Sequence, residues 1–352
     1  MAKYNFLMAL IIDGKKIAFE EYALLKELGI QSQGLELFQF LESWYNDKEH
    51  ISVSTSGSTG TPKTIRLKKS AMLASAKNTA EHFKFAPNQK ALLSLPVSFI
   101  AGKMMVVRSI LSDLDLRVTR PTSTPLAGLK ESFDFVPMTP HQFAYSSVNE
   151  LNRVNKILLG GGPITAKTQS IVSKIDAAVY HGFGMTETIT HIALRELQGT
   201  EAEPIYNALP GVKLSLDSES RLQIQSHYFD SITTNDIVKL TNNQSFKWIG
   251  RYDNIINSGG IKLFPEQIEA KLTKLLPMPY FITSETDENL GECVVLVVEK
   301  EITEDKLELL ASFNSVLEKY ERPKKVYFAA SFLRTENGKI QRTKTFEKLR
   351  NL

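Results

Sequence analysis

The sequence predicts an α/β protein: a large N-terminal domain in which β-sheets are layered with helices, followed by a small α+β C-terminal domain. Short apolar runs alternate with glycine-rich turns and helical patterns along the N-terminal part, and this alternation is typical of a sheet covered by helices. Residues 205–250 are richer in strand patterns, and after Asp253 the helix–strand pattern starts again. A length of 352 residues also exceeds one ordinary hydrophobic core. We therefore place the domains at residues 1–251 and 252–352.

Residues 1–50 predict a β-hairpin followed by an amphipathic helix. The apolar run Phe6–Ile12 leads into Asp13-Gly14, a common hairpin turn signal. An export signal is the alternative for this run, but the run is shorter than a usual signal core and lacks a small-residue cleavage pattern. The helix is indicated by apolar residues at helical spacing, which are Leu35, Phe38, Leu41 and Trp44.

Further strands and helices follow from apolar runs that are bounded by turn residues. In the N-terminal domain the clearest predicted strands are Ala91–Leu95, Lys156–Leu159 and Ala177–Tyr180. The C-terminal domain is predicted to hold a helix from Pro265, a strand at Cys293–Val298 and a helix from Glu304 to Tyr320.

Composition and charge exclude several classes of protein. The formal net charge of +3 is small for this length and no long basic run occurs, so no nucleic-acid partner is indicated. No apolar segment approaches the length of a membrane span. The single cysteine, Cys293, excludes an internal disulfide and a cysteine-based zinc site, and its apolar neighbours predict a buried strand thiol. This usage fits a reducing, cytoplasmic location.

A glycine- and hydroxyl-rich segment, Ser54–Lys63, is the strongest local signal of function. Its sequence is Ser-Thr-Ser-Gly-Ser-Thr-Gly-Thr-Pro-Lys. Glycines let backbone N–H groups turn toward an anion, hydroxyls add donors, and Lys63 adds a positive charge. The Gly-Lys-Ser/Thr ending of a Walker loop is absent. Alone, the segment could be a surface turn instead of a phosphate-binding loop.

The segment is very similar to the phosphate loop of the adenylate-forming superfamily, which includes acyl-CoA synthetases, luciferases and peptide-synthetase adenylation domains. Only the last consensus position departs, where Thr64 replaces glycine. The resemblance implies a loop that binds the phosphates of ATP. The implied contacts are Thr55, Ser56, Gly57, Ser58, Thr59, Gly60 and Lys63.

Two further segments resemble the family's adenine-binding motifs. Gly160–Pro163 resembles the turn beside the adenine, and His181–Glu187 resembles the Tyr-Gly-x-Thr-Glu motif, with Phe183 in the tyrosine place. The resemblance implies that Phe183 stacks on adenine, that Thr186 reaches the α-phosphate and that Glu187 holds a Mg²⁺ between phosphate oxygens. The implied adenine contacts are Gly161, Gly162, Pro163, His181, Gly182 and Phe183.

Two motifs farther along resemble the family's ribose and hinge motifs. Thr234-Asn235-Asp236 resembles Thr-Gly-Asp, which implies that the Asp236 carboxylate accepts hydrogen bonds from the ribose hydroxyls. Gly250–Asn254 resembles Gly-Arg-x-Asp, which implies that Arg251 reaches the nucleotide and that Asp253 is the hinge between the domains. The implied path of the pantetheine arm is Ser258, Gly259 and Gly260. Alone, Asp236 could be a turn carboxylate, and Arg251 with Asp253 a surface ion pair.

The segment Arg334–Arg342 resembles the family's C-terminal motif Arg-Thr-x-x-Gly-Lys-Ile-x-Arg, with Leu333 where the family has proline. The resemblance implies that Lys339 is the adenylation lysine. All these motifs lie in the family's order between residues 54 and 342, so the resemblance covers nearly the whole chain. Family members carry a longer segment before the phosphate loop, which implies that the first N-terminal subdomain is reduced here.

The resemblance implies an ATP-dependent ligase that joins a carboxylic acid to a thiol, with coenzyme A as the expected thiol. In the first half-reaction the carboxylate attacks the α-phosphorus of ATP and releases pyrophosphate. Lys339 would bridge the two reacting groups, while Lys63 and Mg²⁺ on Glu187 would bind the phosphates. In the second half-reaction the thiol attacks the acyl-adenylate after a rotation about Asp253 withdraws Lys339.

The segment Leu95–Arg108 resembles the family's substrate-pocket motif, with Phe99 in the histidine place. Its spacing is similar to that of o-succinylbenzoate–CoA ligases of menaquinone synthesis. Their substrate has two carboxylates, so one is activated and the other needs a cation, which a buried arginine supplies. The implied acid-binding residues are Phe99, Lys103, Arg108 and Gly184. Arg108 could otherwise be a helix-surface charge.

Three other functions stay open at this point. The substrate could be another aryl or acyl acid activated for coenzyme A, or the enzyme could be a stand-alone adenylation enzyme that loads a carrier protein. The chain could also be a nucleotide-binding regulator, which would be expected to lack Lys339, Glu187 or Asp236, and all three are present. Each enzyme reading implies a small-molecule carboxylic acid as partner, and a homodimer is also open.

Overall fold

The computed structural model describes residues 9–18, 21–22, 25, 33–54, 63–198, 204–300, 310, 312–334 and 340–351. The chain divides into two compact units, which we describe separately. The first unit comprises residues 1–214, 224–232 and 242–245, and the second comprises residues 215–223, 233–241 and 246–352. The predicted α/β class is confirmed. The domain limits at residues 251 and 252 stay a prediction.

The N-terminal hairpin and helix form as predicted. Strands β1 (Ala9–Ile12) and β2 (Lys15–Ala18) pair antiparallel on either side of the predicted turn. Helix α1 spans Gly34–Tyr45 and buries Leu37, Phe38, Phe40, Leu41 and Trp44. The prediction for Leu35 was wrong, because this side chain lies outside the buried stripe in the first turn and is 55% exposed.

The strands on either side of the predicted phosphate loop form a separate two-stranded sheet. Strand β3 (His50–Ser54) pairs antiparallel with β4 (Thr64–Lys68), and Ser54 is paired with Thr64. Helix α2 (Lys69–Phe83) follows β4 directly.

A mostly parallel sheet is the centre of the first unit. Its parallel strands are β5 (Lys90–Leu93), β6 (Asp115–Val118), β7 (Phe133–Met138), β8 (Val154–Leu159) and β9 (Ala178–Gly184). They lie in the order β9-β8-β7-β5-β6, with β1 and β2 beyond β6. Strand β10 (His191–Glu196) pairs antiparallel with β9, and β11 (Ile205–Ala208) pairs antiparallel with β10. The three strands predicted for this domain are confirmed, with ends shifted by a few residues.

Helices cover both faces of this sheet. They are α3 (Ile100–Ser112), α4 (Pro140–Tyr145), α5 (Val148–Leu151) and α6 (Ala166–Val172), besides α1 and α2. Ala91 and Leu93 of β5 pack in one core with α1, α2 and α3, while Leu92 packs in the other with α4, α5 and α6. Because successive side chains of a strand point to opposite faces, this division shows two separate cores, one on each side of the sheet.

The order of the strands creates a switch point at β5. This strand pairs with β6 on one side and with β7 on the other. In open α/β sheets, ligands bind outside the carboxyl ends of the strands at such a point. The residues that follow these ends are Ser94 after β5, Thr139 after β7, Gly160 after β8 and Met185 after β9.

The β-rich region predicted before residue 250 is confirmed. Its strands are β12 (Val212–Leu216), β13 (Arg221–Ser226), β14 (Phe229–Asn242) and β15 (Ser245–Arg251). Further along lie β16 (Ile256–Ser258), β17 (Ile261–Leu263), α7 (Pro265–Leu272), β18 (Tyr280–Asp287), β19 (Gly291–Glu299), β20 (Lys325–Ala329) and α8 (Arg342–Arg350). Within the described ranges, every helix is too short or too polar to cross a bilayer.

Two predictions for the second unit can be compared with the structure. Cys293 lies in β19 and is buried, as predicted. The predicted helix from Glu304 to Tyr320 lies outside the described residues at 304–309 and 311, and its end was wrong. In the described part, Leu310 and Ser312 are helical, a short 3₁₀ turn follows at Phe313–Ser315, and residues 316–320 are not helical. The guanidinium of Arg322 donates to the carbonyl oxygens of Asn314 (3.1 Å) and Leu317 (3.1 Å), and these bonds satisfy acceptors that a longer helix would use.

Candidate functional site

The predicted phosphate loop connects the paired ends of β3 and β4. Its residues Thr55, Ser56, Gly57, Ser58, Thr59 and Gly60 lie outside the described residues. Lys63 immediately precedes β4 and is exposed. The antiparallel pairing of Ser54 with Thr64 therefore fixes the two points between which the loop runs.

The predicted adenine motif begins inside a strand and continues into a turn. His181, Gly182 and Phe183 are the last part of β9 before Gly184, and all four pair with β10. The centroid of the Phe183 ring lies 5.7 Å from that of the Tyr206 ring, and the angle between the two ring planes is 61°. Glu187 is exposed on the turn that follows. The motif is therefore placed at the carboxyl end of β9, where a ligand of the sheet is expected.

A half-buried histidine connects the two adenine-motif segments. Nε2 of His181 is 3.0 Å from the Gly162 carbonyl oxygen, and Nδ1 is 2.7 Å from the Tyr206 hydroxyl. Since the carbonyl can only accept, Nε2 carries the proton and Nδ1 accepts from the tyrosine. Burial, helped by the Arg195 charge, lowers the pKa of His181 to about 4, so the ring is neutral at pH 7. His181 thus ties the Gly160–Pro163 turn to β9.

Tyr206 was missed by the sequence reasoning. It lies in β11, outside every motif, and reaches His181 only because β10 and β11 follow β9 in the sheet. The turn that it helps to hold leaves Gly161 and Pro163 exposed and Gly162 half-buried. An exposed backbone turn with a fixed position is suited to face a planar ligand.

The buried side chain of Thr188 stabilises the turn after β9 through hydrogen bonds within the turn. The Thr188 hydroxyl accepts from the Met185 N–H (3.0 Å) and lies 2.8 Å from the Thr190 carbonyl oxygen. Ile189 has a φ of 72°, a conformation that is rare for a β-branched residue. A Cβ on Gly184 would lie 2.2 Å from the Thr190 carbonyl oxygen. Gly184, predicted to contact the acid, therefore also lets this turn pack directly on β9.

Arg108 is buried in α3 and only 2% exposed, which excludes the helix-surface alternative. Nη2 donates to the Thr190 hydroxyl (3.1 Å), whereas Nε has no hydrogen-bond partner among the residues that the structure describes. No carboxylate of the described residues pairs with this guanidinium. Burial lowers the pKa of Arg108 from its ordinary value to about 9, so the group is charged at pH 7. A buried cation without an anion is costly, and it is therefore suited to receive one.

Phe99 and Lys103, which are also predicted to contact the acid, lie around the start of α3. Phe99 is half-buried and immediately precedes the helix. The Lys103 ammonium donates to the carbonyl oxygens of Val97 (2.6 Å) and Ser98 (3.3 Å), and burial lowers the pKa of Lys103. Lys103 thus stabilises the turn before α3, which leaves Arg108 as the better placed cation for a substrate.

In the second unit, Asp236 lies in β14 with its side chain buried. Its Oδ1 accepts from Nε1 of Trp248 (2.9 Å) and lies 3.9 Å from Nη1 of Arg251. Burial raises the pKa of Asp236, although Trp248 and Arg251 act in the opposite direction. Arg251 also contacts Asp253, with Nε 3.4 Å from Oδ1, so the surface ion pair considered as an alternative does form. Trp248 lies in no predicted motif and was missed.

The predicted pantetheine path is a tight turn between β16 and β17. Ser258 is buried, and Gly259 and Gly260 have φ values of 58° and 81°. Both values lie in the left-handed region that favours glycine. The Gly259 N–H donates to the Leu290 carbonyl oxygen (2.9 Å), which fixes the turn.

Lys339 lies outside the described residues, but both flanks of its motif are described. Arg334 pairs with Ile340 in an antiparallel bridge and forms an ion pair with Glu299. The Arg342 guanidinium binds Glu269 with two contacts, of 2.7 Å from Nη1 and 2.9 Å from Nη2. The two arginines of the motif thus fix the ends of the segment that carries the lysine.

A magnesium ion fits the predicted site only together with phosphates. In the described part of the chain, no group of three or more His, Cys, Asp or Glu side chains could hold a metal ion. Mg²⁺ is commonly bound by one or two carboxylates and completes its shell with phosphate oxygens and water. The exposed carboxylate of Glu187 at the end of β9 fits this kind of ligand.

Comparison with known proteins identifies relatives over nearly the whole chain. The family model of the AMP-binding enzymes matches residues 51–223. An acyl-CoA synthetase (AMP-forming)/AMP-acid ligase II-like protein from Dyadobacter fermentans is 38% identical, over 90% of this chain and 94% of that chain, with a TM-score of 0.60.

Two more similar proteins carry names that state an activity. A 2-succinylbenzoate–CoA ligase from Staphylococcus epidermidis is 24% identical, over 91% of this chain and 77% of that protein. The o-succinylbenzoate coenzyme A synthetase (MenE) from Bacillus subtilis, solved with ATP and magnesium, has a TM-score of 0.77 at 15% identity, over 97% of both chains. This last match shows a shared fold. From the motifs, the fold and the relative at 38% identity, the chain belongs to the AMP-binding enzyme family.

Proposed function

We propose that this protein is an ATP-dependent acid–CoA ligase that activates 2-succinylbenzoate as an acyl-adenylate and transfers the acyl group to coenzyme A. The observation that carries the choice of acid is the buried Arg108 guanidinium, for which no carboxylate partner exists among the described residues. The relatives named 2-succinylbenzoate–CoA ligase support the same acid. The single, buried thiol of Cys293 supports a cytoplasmic location.

Adenylation requires two anions to approach each other, because a carboxylate oxygen attacks the α-phosphorus of ATP and pyrophosphate leaves. The chain's own contribution is positive charge and positioning. Lys63 would bind the leaving phosphates, and Lys339 would bridge the carboxylate and the α-phosphate. Thr186, on the turn after β9, would donate to an α-phosphate oxygen. A Mg²⁺ ion held by Glu187 would offset the charge on the phosphate oxygens.

The nucleoside would be oriented by groups of fixed geometry. Phe183, at the end of β9, would stack on the adenine, and the Gly160–Pro163 turn would lie along its edge. The hydrogen bonds of His181 to Gly162 and Tyr206 hold this turn and strand together before the ligand arrives. The Asp236 carboxylate would accept from the ribose hydroxyls, and Arg251 would reach the nucleotide.

The acid would be recognised through its second carboxylate. By its name, 2-succinylbenzoate carries one carboxylate on the ring and one at the end of the succinyl chain. Arg108 would bind the carboxylate that is not activated, using its Nε–H, which no described residue accepts from, together with a neighbouring N–H in a bidentate contact. Phe99 and Gly184 would line the same part of the pocket.

Thioester formation would follow a rearrangement about Asp253. The domains would be residues 1–251 and 252–352, and their rotation would withdraw Lys339 and admit the pantetheine arm along Ser258, Gly259 and Gly260. The thiolate would then attack the acyl carbon, forming the C–S bond and releasing AMP.

The experiment that tests this proposal measures pyrophosphate release with a panel of acids, with and without coenzyme A. The panel contains 2-succinylbenzoate and 4-oxo-4-phenylbutanoate, which is the same acid without its ring carboxylate. We expect pyrophosphate release with 2-succinylbenzoate, and its CoA thioester only when coenzyme A is present. Equal rates with both acids would contradict the choice of acid. Pyrophosphate release without any CoA thioester would instead indicate a carrier protein as acceptor.

The role of Lys339 is tested separately on each half-reaction. Lys339→Ala should abolish pyrophosphate release, yet it should still convert a supplied acyl-adenylate to the thioester, because the lysine acts only in the first step. An equal loss of both half-reactions would show that this role is wrong.

A further inference from the structure

We infer that Thr190 and His191 position the Arg108 guanidinium for the second carboxylate of the acid, through a chain of hydrogen bonds that ends at Thr79. The inference rests on the proposed function, since it concerns how the same cation selects a dicarboxylic acid. Arg108, His191 and Thr79 are buried, and Thr190 is half-buried between them. Neither Thr79 nor His191 belongs to a motif that the sequence singled out.

The Ser75 carbonyl group determines which atoms donate and which accept in the hydrogen bonds of Thr79. Oγ1 of Thr79 lies 3.1 Å from the Ser75 carbonyl oxygen. The carbonyl can only accept, so the Thr79 hydroxyl proton is used there. Oγ1 of Thr79 is also 3.2 Å from Nε2 of His191. Because its proton is already committed, this oxygen must accept, and His191 must carry a proton on Nε2.

The remaining bonds are then determined up to the guanidinium. Nδ1 of His191 lies 3.3 Å from Oγ1 of Thr190. Burial, with the charges of Arg108 and His82 nearby, holds the pKa of His191 well below its ordinary value, so the ring is neutral and Nδ1 is an acceptor. The Thr190 hydroxyl donates to it and accepts from Nη2 of Arg108 (3.1 Å). Each hydrogen bond from Arg108 to Thr79 therefore has only one possible donor and one possible acceptor.

The backbone around Thr190 is equally constrained. The residue before it, Ile189, has a φ of 72°, and the Thr190 carbonyl oxygen packs against Gly184 and the Thr188 hydroxyl. Uncommon backbone conformations of this kind cluster at functional sites, where surrounding contacts maintain them. A bidentate contact needs the guanidinium plane in one orientation, and the hydrogen bond from Thr190 supplies that orientation.

The test compares Thr190→Val, which keeps the shape and removes the hydroxyl, with Thr190→Ser, which restores it. For each variant, kcat/KM is measured with 2-succinylbenzoate and with 4-oxo-4-phenylbutanoate, together with KM for ATP and the Tm. Thr190→Val should reduce the preference for the dicarboxylic acid by about tenfold or more, the usual effect of losing a hydrogen bond to a charged group. KM for ATP should stay close to that of the native protein, and Thr190→Ser should recover most of the preference.

An equal fall in kcat/KM for both acids, or an unchanged preference, would overturn the inference. A native protein that shows no preference between the acids would instead refute the proposed substrate, so the two failures are distinguishable. If Thr190→Val does not fold, nitrogen NMR of the native protein at pH 7 decides: His191 should show a protonated Nε2 and a bare Nδ1. A ring protonated on Nδ1 would refute the chain of hydrogen bonds.

Discussion

Replacing Arg108 with methionine should make the ligand-free protein more stable and a poorer enzyme. The guanidinium is fully buried, and its only described partner is the Thr190 hydroxyl. Methionine has a similar length and no charge, so Arg108→Met removes the cost of burying a cation. It also removes the group that would bind the second carboxylate.

The size of the first effect follows from the burial of Arg108, and that of the second from the usual strength of a charge-assisted hydrogen bond. The fall in the pKa of Arg108 from its ordinary value to about 9 corresponds to a burial cost of about 5 kcal/mol at most. This cost is fully present at pH 7, because this pH lies below both the ordinary and the lowered value. Replacing buried charges by apolar groups commonly gains about 1–4 kcal/mol, so we expect the Tm to rise by several degrees. The lost charge-assisted hydrogen bond is worth about 1.5–3 kcal/mol, or about 10- to 150-fold in kcat/KM for 2-succinylbenzoate.

Thermal unfolding and steady-state kinetics, measured on the same preparations, check both effects. Lys77→Met is a matched control, because it removes a lysine charge from α2 whose side chain is 71% exposed. The control should change neither quantity much. A lower Tm together with an unchanged kcat/KM for 2-succinylbenzoate would show that Arg108 is a structural charge, and it would refute the reasoning.

Three further variants test other parts of the site. Between pH 6.5 and about 4 the unfolded chain binds a proton at His181 that the folded chain does not, so the free energy of unfolding decreases by up to about 3 kcal/mol as the pH is lowered. Denaturant titrations of His181→Gln should no longer show this part of the pH dependence. Gly184→Ala places a Cβ 2.2 Å from a backbone oxygen and should lower the free energy of unfolding by about 1–3 kcal/mol, whereas Gly160→Ala, which enters open space, should not. Glu269→Gln weakens the bidentate contact to Arg342 and should slow adenylation more than thioesterification of a supplied adenylate; equal slowing would argue against an anchor for the lysine segment.

The parts of the fold that follow from local periodicity could be predicted from the sequence. The β-hairpin, the strands at β5, β8 and β9 and the helix from Pro265 each carry their own pattern within a few residues. The predicted end of the helix at Tyr320 was wrong, because Arg322 donates to carbonyl oxygens of the preceding turn, where a longer helix would need them. A local sequence pattern does not show such contacts. The prediction that Leu35 belongs to the apolar face was wrong, because one turn of helical spacing does not show where the buried stripe begins.

The supporting residues of the candidate site could not be predicted in the same way. Tyr206 and Trp248 each form a hydrogen bond to a motif residue, and His191 is linked to Arg108 through Thr190. These contacts depend on how the strands and helices are arranged in space. None of them carries a sequence signal of its own. Motifs thus located the groups proposed to meet the ligand, while the groups that orient them emerged only from the structure.

The central claim is that a carboxylate of the acid attacks the α-phosphorus of ATP. It is tested most directly with 2-succinylbenzoate whose carboxylates are labelled with ¹⁸O, incubated with ATP, Mg²⁺ and coenzyme A and analysed by mass spectrometry. Attack at the α-phosphorus followed by thiol transfer leaves one ¹⁸O atom in AMP, and this is the predicted result. Label in inorganic phosphate with formation of ADP, or unlabelled AMP, would contradict it.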